Sequence, residues 1–499
     1  MVNRWPLWTQ MTGAAAVGAV TAFGLAPYGL WYLALAGWTI LPVLVLIAPT
    51  RARAAALGWA YAAGYFAHAL IWLVEPFLVD IQRHGWMAPF ALAMMSSGLA
   101  LFWAAAFWAA HRLGRSSLQR ALLVVPCLAL AEFGRAYLFT GFPWAAPAQG
   151  LVDSPMLALL AWLGPHGLAL LVLAASAGLG LWIFHRRLLW FLTPTLLLAG
   201  LTLAAQVTRP EVEITPYEVR VIQPNAVQHQ KWDPDWIPIY FQRQLDLTAE
   251  GPRPDLIVWP ESAIAPVFEN AGPWFEAIAQ AAAGSPVALG IRRYDGGRFF
   301  NALALLDAAG QPTAVYDKHH LVPFGEYIPL GGLAKRFGIQ GLAAEDGDGY
   351  SAGPGPQVMD FGPLGLGLPL ICYEAVFPQD VNRATDRPSF LLQVTNDAWF
   401  GERVGPYQHL AQARMRAVEH GLPMIRSANT GVSAIISPHG EIRDSLALGT
   451  SGYVQTALPA ALPPTVYART GDLLWLVVTL IALGGALYAR PGNPDPLSD

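Results

Sequence analysis

Eight apolar stretches constrain the fold of this chain more than any other feature of its sequence. Most are close to the ~20 residues that a helix needs to cross the hydrocarbon core of a bilayer. They lie at 11–27, 30–49, 55–75, 86–110, 121–138, 156–184, 188–206 and 472–489. Only 13% of the residues are charged, against about 25% in an ordinary soluble domain. This composition excludes a disordered chain, a nucleic-acid binder and a typical cytosolic enzyme, and it favours a multi-pass membrane protein.

The charge distribution divides the chain into two parts. Residues 1–207 contain ten Arg, no Lys and four acids, whereas residues 208–499 contain 17 Arg, 3 Lys and 30 acids. The polar second part is long enough for a large hydrophobic core. We therefore predict a transmembrane domain of seven helices over 1–207, a soluble domain over 208–470, an eighth transmembrane helix over 471–490 and a cytoplasmic tail over 491–499.

Arginine residues orient the predicted helices, since short loops rich in Lys and Arg stay in the cytoplasm. They gather at every second helix boundary, as Arg4, Arg51, Arg53, Arg112, Arg115, Arg120, Arg186 and Arg187. Both termini are therefore expected in the cytoplasm, and residues 208–470 in the periplasm of a bacterium with two membranes. Within one predicted helix, Glu132 and Arg135 are three residues apart, and pairing with each other is favoured over a role in substrate binding.

Strand-like and helix-like runs alternate along the soluble part. Strands are predicted at 218–222, 256–258, 287–291, 300–306, 314–316, 364–371, 390–394, 425–427 and 432–437, and helices near 236–249, 273–283 and 408–420. This alternation is typical of an α/β domain.

Residues capable of catalysis directly follow three of these strands. Glu261 lies in WPES after the apolar run 256–258, where a partly desolvated carboxylate suits a general base. Lys318 and Glu326 lie in YDKHHLVPFGE, and Lys318 is one of only three lysines. Cys372 lies at the end of an apolar run, the position of a nucleophile at a strand-to-helix turn. The backbone N–H groups that follow such a turn can bind an oxyanion. Together they supply a base, a cation and a nucleophile, and the lysine is expected to lower the thiol pKa.

Each of these residues also has a structural interpretation. Glu261 suits a helix N-cap, and Cys372 suits a buried core position. Cys127, the other cysteine, lies in an apolar run of the membrane part, so a disulfide is not expected. His319 and His320 suggest metal ligands, but adjacent side chains are expected to project apart, and no third ligand has metal spacing. We therefore predict no metal.

These residues and several further motifs resemble a known family. Glu261 in WPES, Lys318 in YDKHHLVPFGE and Cys372 in LICYE resemble the Glu-Lys-Cys triad of the nitrilase superfamily. Such a domain inserted before the last helix of a multi-pass bundle resembles, more narrowly, the apolipoprotein N-acyltransferases. Further matching segments are FTGFPW at 139–144, QPN at 223–225, KWDP at 231–234, VPFGEYIP at 322–329, TNDAWFG at 395–401 and RSANTGVSAII at 426–436.

The resemblance implies a fold and a set of catalytic roles. The fold is a multi-pass α-helical membrane bundle of eight helices with a nitrilase-like α-β-β-α sandwich. Cys372 would carry the acyl group as a thioester, and Glu261 would act as general base and acid. Lys318 would stabilise the thiolate and, with the backbone N–H of Tyr373, the tetrahedral oxyanion.

Supporting residues are also implied by the resemblance. Glu326 would hold Lys318 in place, Tyr373 and Glu374 would line the pocket, and Trp232 would lie on a loop that closes over substrate. The family acts on lipid substrates held in the membrane, so the apolar loop at 328–343 is expected to contact the membrane or the acyl chain.

The resemblance further implies two substrates that are both held in a membrane. The acyl donor is a phospholipid, phosphatidylethanolamine first among them. The acceptor is the α-amino group of the S-diacylglyceryl cysteine that begins a lipoprotein. No cofactor and no nucleic acid are expected as partners, and a monomer is expected.

Two other functions remain open at this point. A membrane-tethered nitrilase-type amidase that hydrolyses small amides would use the same triad, although eight crossings are excessive for an anchor. A transporter or lipid-binding protein with a relic outer domain would need functional charges in its membrane helices, and its triad would be dispensable.

Overall fold

The computed structural model describes residues 5–185, 188–328 and 349–489. The chain divides into two compact units. The helical unit comprises Met1–Val74, His84–Arg209 and Thr465–Asp499, and the α/β unit comprises Glu75–Arg83 and Pro210–Pro464. The predicted tail over 491–499 and almost all of the predicted apolar loop at 328–343 lie outside the described residues. Glu75–Arg83, which interrupts the membrane part in sequence, belongs to the α/β unit.

The helical unit is built from apolar helices. Its main helices are Leu7–Thr21, Trp31–Trp38, Leu41–Leu46, Arg51–Ala69, Ala88–Leu113, Ser117–Tyr137, Leu160–His185, Leu188–Val207 and Val466–Tyr488. Within the described ranges, four helical spans are long and apolar enough to cross a membrane: Ile81–Leu113, Ser117–Tyr137, Pro155–Ile183 and Val466–Tyr488. The bent pair Arg51–Ala69 and Ile71–Leu78 makes a fifth if it crosses as one span. The other predicted crossings coincide with shorter helices, so eight crossings stay a prediction.

Two glycines bring a pair of these helices into close contact. A Cβ atom at Gly18 would overlap the carbonyl oxygen of Tyr61, and one at Gly64 would overlap that of Ala15. The helices Leu7–Thr21 and Arg51–Ala69 therefore meet backbone against backbone, as small residues allow in membrane bundles.

Glu132 and Arg135 form a closed polar network inside the helical unit. Arg135 Nη2 lies 2.5 Å from Glu132 Oε2, and both side chains are buried. Arg135 Nη1 donates to the carbonyl oxygens of Phe142 at 2.5 Å and Trp144 at 2.6 Å. Trp103 Nε1 donates to Glu132 Oε1 at 2.8 Å. The predicted pairing is confirmed, and the carbonyl partners explain why FTGFPW folds back against this helix.

The described strands of the α/β unit are β1 Ile214–Gln223, β2 Leu256–Val258, β3 Val287–Asp295, β4 Arg298–Leu306, β5 Pro312–Asp317, β6 Met359–Asp360, β7 Leu366–Ile371, β8 Phe390–Thr395, β9 Met424–Ala428, β10 Ser433–Ile436, β11 Ile442–Leu446 and β12 Gly452–Pro459. They form two six-stranded sheets, with strand orders β12-β1-β2-β3-β4-β5 and β11-β10-β9-β8-β7-β6. Strands β1, β2 and β3 are parallel, as are β7, β8 and β9.

Alternating side chains place each strand between two apolar layers. Val258 of β2 packs with Phe390 of β8 in a core between the sheets. Its neighbour Ile257 faces the other way, toward helix Gly272–Ala282. Helix Gly405–His420 covers the outer face of the second sheet in the same manner. The predicted α-β-β-α sandwich is therefore confirmed.

Candidate active site

Cys372 occupies a strained and buried turn. It follows β7 directly and begins the short 3-10 helix Cys372–Val376. Its φ is +52°, a backbone conformation that non-glycine residues rarely adopt. Gln393 Nε2 donates to the Cys372 carbonyl oxygen at 3.3 Å, and His409 Nε2 lies 3.0 Å from the same oxygen. These contacts fix the turn that carries the thiol.

The surroundings of Cys372 keep its thiol protonated. Burial raises the thiol pKa well above its ordinary value, and the Glu261 carboxylate adds to the rise. The charge of Lys318 and a hydrogen bond with Thr395 act in the opposite direction but do not outweigh it. The expectation of a lowered thiol pKa was wrong, because the sequence did not reveal how completely the sulfur is removed from water.

Glu261 lies in the loop after β2 with both carboxylate oxygens hydrogen-bonded. Asn301 Nδ2 donates to its Oε1 at 2.7 Å, and the backbone N–H of Asn396 donates to its Oε2 at 2.8 Å. Asn396 follows β8, next to the strand that carries Cys372. The parallel strands thus bring the predicted base to the end of the sheet where the thiol lies.

Lys318 and Glu326 form a buried ion pair. Lys318 Nζ lies 2.7 Å from Glu326 Oε2, and the lysine side chain is 1% exposed. Burial disfavours the charge of Lys318, but Glu326, Cys372 and Glu261 outweigh it and raise the lysine pKa. The cation is therefore retained within electrostatic reach of the thiol, and Glu326 is its ion-pair partner.

Asn301 joins the two carboxylates and was not predicted from the sequence. Its Nδ2 donates to Glu261 Oε1 at 2.7 Å and to Glu326 Oε1 at 2.9 Å. It lies on β4, where it is the polar residue in the otherwise apolar run FFNALALL. That interruption was the available signal, because a buried amide requires hydrogen-bond partners.

Glu374 contacts neighbouring backbone and side chains rather than an open pocket. It is fully buried. Its Oε1 accepts from Tyr316 Oη and from the backbone N–H of His319, both at 2.8 Å, and its Oε2 accepts from the N–H of Ile371 at 2.7 Å. The adjacent Tyr373 is 4% exposed. Glu374 therefore ties the Cys372 turn to the segment that follows β5.

The adjacent histidines converge on one acid. His320 Nδ1 lies 2.8 Å and His319 Nε2 3.4 Å from Asp380 Oδ2. The expectation that these side chains project apart was wrong, since the chain bends between them. Their ligand atoms and that of Asp380 lie within 4.8 Å of one another, so these three residues have the spacing to hold a metal ion. Burial opposes their charges, but the mutual hydrogen bonds prevail, raising the pKa of His319 to about 9 and lowering that of Asp380 to about 2.

A second buried network, made by Arg426, Asp397 and His409, contacts the backbone of the Cys372 turn. Asp397 accepts from Arg426 Nη2 at 2.5 Å, and its Oδ1 lies 2.8 Å from His409 Nδ1. Burial alone would raise the Asp397 pKa, but Arg426 and His409 hold it below its ordinary value. His409 then reaches the carbonyl of Cys372, so TNDAWFG is connected to the nucleophile.

Trp232 is the most exposed of the predicted site residues. Its side chain is 40% exposed. The Lys231 ammonium lies 5.2 Å and the Arg292 guanidinium 5.0 Å from its ring centre. Lys231 also donates to the backbone oxygen of Glu261 at 3.0 Å, which links this exposed ring to the predicted base.

Two family models match this chain. Residues 207–462 match the family model for carbon-nitrogen hydrolase, so the α/β unit defines a protein of that class. Residues 17–178 match the model for the apolipoprotein N-acyltransferase N-terminal domain. The apolipoprotein N-acyltransferase of Brucella suis is 35% identical, with 97% of each chain covered. That of Rhodopseudomonas palustris is 34% identical and covers 97% of this chain and 96% of its own.

The chain therefore belongs to the apolipoprotein N-acyltransferase family. Among solved structures, a CN-hydrolase superfamily protein from Xanthomonas campestris aligns with 56% of this chain and 99% of its own, at 19% identity and a TM-score of 0.36.

Proposed function

We propose that this acyltransferase moves a fatty acyl chain from a membrane phospholipid to Cys372, and then to the α-amino group of the S-diacylglyceryl cysteine that begins a lipoprotein. The observation that carries the proposal is the buried cluster in which Asn301 joins Glu261 to the Lys318–Glu326 ion pair beside the Cys372 turn. It combines a base, a fixed cation and a nucleophile, and all three side chains are buried.

The first half-reaction forms the thioester. Glu261 accepts the Sγ proton as the sulfur of Cys372 adds to the ester carbonyl carbon, because the raised thiol pKa requires a base at that moment. The negative charge that develops on the carbonyl oxygen is stabilised by the Lys318 ammonium and the backbone N–H of Tyr373. The ester C–O bond then breaks, Glu261 returns the proton to the alkoxide, and a lyso-phospholipid leaves.

The second half-reaction transfers the acyl group. Glu261 takes a proton from the incoming amine, whose nitrogen adds to the thioester carbonyl. Lys318 again faces the oxyanion, and collapse of the intermediate breaks the C–S bond and forms the amide. Cys372 recovers its proton from Glu261. Two successive substrates at one thiol give ping-pong kinetics.

The experiment is intact-mass analysis after incubation with phosphatidylethanolamine. A mass increase of one acyl chain, reversed by hydroxylamine, is expected for the parent protein and absent from Cys372→Ala. Cys127→Ala is the matched control and should acquire the same adduct. The absence of an adduct from a protein whose Cys372 still reacts with a small thiol reagent would overturn the phospholipid donor.

The amidase alternative has its own outcome in this assay. Hydrolysis of short amides at a rate that does not depend on lipid, with water as acceptor, would support it. The family membership favours the acyltransferase, because both domain models match this chain.

The topology is part of the proposal. Eight crossings of the inner membrane, with both termini cytoplasmic and the α/β unit in the periplasm, would place the thiol on the side where lipoproteins mature. An impermeant thiol reagent applied to spheroplasts should label Asp235→Cys, in the exposed loop after Trp232, in a background that carries both Cys127→Ala and Cys372→Ala. Arg115→Cys should be labelled only after lysis, and the reverse pattern would overturn the orientation.

A further inference from the structure

Two cations flank the exposed ring of Trp232 without forming an ion pair in the described part of the chain. Lys231 and Arg292 lie 5.2 and 5.0 Å from the ring centre. Cations at this distance from the face of an indole are attracted by the ring. Lys231, Trp232 and Arg292 are called the cationic cluster below.

The cluster has hydrogen-bond donors that meet no acceptor in the described part of the chain. The Lys231 side chain is 7% exposed, and its ammonium group, which carries three N–H donors, has one described acceptor, the backbone oxygen of Glu261. Arg292 Nη2 donates to the carbonyl of Ala265 at 2.8 Å. Its Nε is buried and meets no acceptor among the described residues. Buried donors of charged groups are normally satisfied, so these point to an acceptor that comes from outside the protein.

The cluster adjoins the catalytic groups. Arg292 of β3 pairs with Asn301 of β4 across the antiparallel ladder, and paired residues project to the same face of a sheet. Asn301 is the residue that contacts Glu261. Arg292 therefore projects from the same face of the sheet as the residue that holds Glu261, and Lys231 contacts the backbone oxygen of Glu261 itself.

Among the described residues, the charges around the cluster do not balance. Lys231, Arg292 and Lys318 are cationic, and the described carboxylates that act on this group of residues are Glu261 and Glu326. With the Cys372 thiol protonated, three positive charges face two negative ones. One anionic group from a ligand would complete the balance.

We propose that Lys231 and Arg292 bind the phosphodiester of the acyl donor, and that they thereby select phosphate-bearing lipids. This inference rests on the proposed function. The phosphate and the scissile ester of a glycerophospholipid are joined through the glycerol backbone, so an anion site beside Glu261 lies on the side where the donor's headgroup has to be held. Two charged donors fix the phosphate, and the Trp232 ring holds both cations in position.

The test compares two acyl donors with one acceptor thiol. Thioester formation on Cys372 is measured with phosphatidylethanolamine and with a 4-nitrophenyl ester of the same fatty acid, which carries no phosphate. Lys231→Met and Arg292→Gln are each expected to raise the half-saturating phospholipid concentration about 10- to 100-fold, the range for a lost hydrogen bond to a charged group. The rate with the nitrophenyl ester should change less than about 3-fold. Arg298→Gln, an exposed arginine on β4, is the matched control and should leave both donors unaffected.

Soluble competitors identify the source of the phosphate. Glycerophosphoethanolamine, the headgroup without acyl chains, should compete with phosphatidylethanolamine in the parent and lose most of its effect in Lys231→Met. Equal competition by inorganic phosphate at the same concentration would overturn the assignment to a lipid headgroup.

The remaining outcomes overturn the proposal in distinguishable ways. An equal loss with both donors in Lys231→Met and Arg292→Gln would show that the cluster only positions Glu261, and no loss with either donor would show that the cations bind nothing. A parent protein that forms a thioester with the nitrophenyl ester, but with no phospholipid, would contradict the proposed function itself.

Discussion

Each unit of the chain buries a carboxylate beside a cation, but the two networks differ in what remains unpaired. In the helical unit, Arg135 contacts Glu132 and two backbone carbonyls, and Trp103 donates a further hydrogen bond to the Glu132 carboxylate. In the α/β unit, the Lys318–Glu326 pair is joined to Glu261 by Asn301, whose Oδ1 is buried and meets no donor among the described residues. A closed network indicates structure, whereas unsatisfied buried groups around a thiol indicate a site that awaits substrate.

The contrast also concerns what each network does to its neighbours. The closed network is bonded to a loop of its own unit and holds that loop in place. The open one lies around Cys372, whose pKa is kept high by burial and by Glu261 against the opposing charge of Lys318. Removing one residue from the first network should therefore affect folding, and removing one from the second should affect chemistry.

The largest expected effect is the loss of acyl transfer, and for Cys372 it is expected without a loss of stability. Cys372→Ala should reduce acyl transfer by about 10⁴-fold or more, as loss of a nucleophile does in triad enzymes, while the melting temperature in detergent stays close to that of the parent. Lys318→Ala should also abolish transfer but destabilise the fold, because it leaves Glu326 buried without its cation. Substantial residual thioester in Cys372→Ala would contradict the assignment.

The second largest expected effect is a loss of stability when the Glu132–Arg135 pair is broken. Arg135→Met leaves Glu132 buried without its partner and should lower the free energy of unfolding by about 3–5 kcal/mol. The double variant Glu132→Leu with Arg135→Met should recover part of that loss, because no charge remains unpaired. Urea or thermal unfolding in detergent measures both. A stable Arg135→Met protein that has lost acyl transfer would instead give the pair a role in substrate handling and would break the comparison.

Asn301→Ala tests the bridge between the carboxylates. We expect kcat for thioester formation to fall about 10²-fold, since small displacements of catalytic groups have effects of that size. The KM for the phospholipid should stay within about 3-fold, because Asn301 positions Glu261 and Glu326 and does not bind the donor. A variant with unchanged kcat would falsify the positioning role.

The pH dependence of donor preference tests the cationic cluster. Burial and the nearby Arg292 lower the pKa of Lys231 to about 8, against the opposing charge of Glu261. The ammonium is therefore present below about pH 8 and is lost above it. The ratio of kcat/KM for phosphatidylethanolamine to that for the nitrophenyl ester should fall up to about 10-fold as pH rises through this value. Ionisation of Cys372 affects both donors and cancels in the ratio, so a constant ratio would contradict the role of Lys231.

The sequence predicted the parts of this site that follow single strands. Glu261, Lys318 and Cys372 each come directly after an apolar run, so local patterning was sufficient to find them. Asn301 was missed because its contact with Glu261 depends on the pairing of β2, β3 and β4, which brings together residues 40 positions apart. The convergence of His319 and His320 on Asp380 was missed for the same reason, since the acid lies on the far side of the Cys372 turn.

The direction of the thiol pKa could not be predicted either. Patterning identified a nearby lysine, but the balance between Lys318, Glu261 and desolvation depends on the depth of burial, which only the packed sandwich determines. The number of membrane crossings is a different case, because the sequence predicts more than the structure supports. Composition predicts eight crossings, whereas the described residues contain four or five helical spans long enough to cross a membrane.

The smallest expected effect completes the comparison with the second cysteine. Cys127 lies in helix Ser117–Tyr137 of the helical unit and is 6% exposed. A buried free thiol with apolar neighbours behaves as a small hydrophobic side chain. Cys127→Ala should therefore lower the free energy of unfolding by about 1 kcal/mol and leave thioester formation from phosphatidylethanolamine unchanged. Paired measurements of unfolding and of the acyl adduct would check this, and a loss of the adduct in Cys127→Ala would mean that the acyl group is carried by more than one thiol.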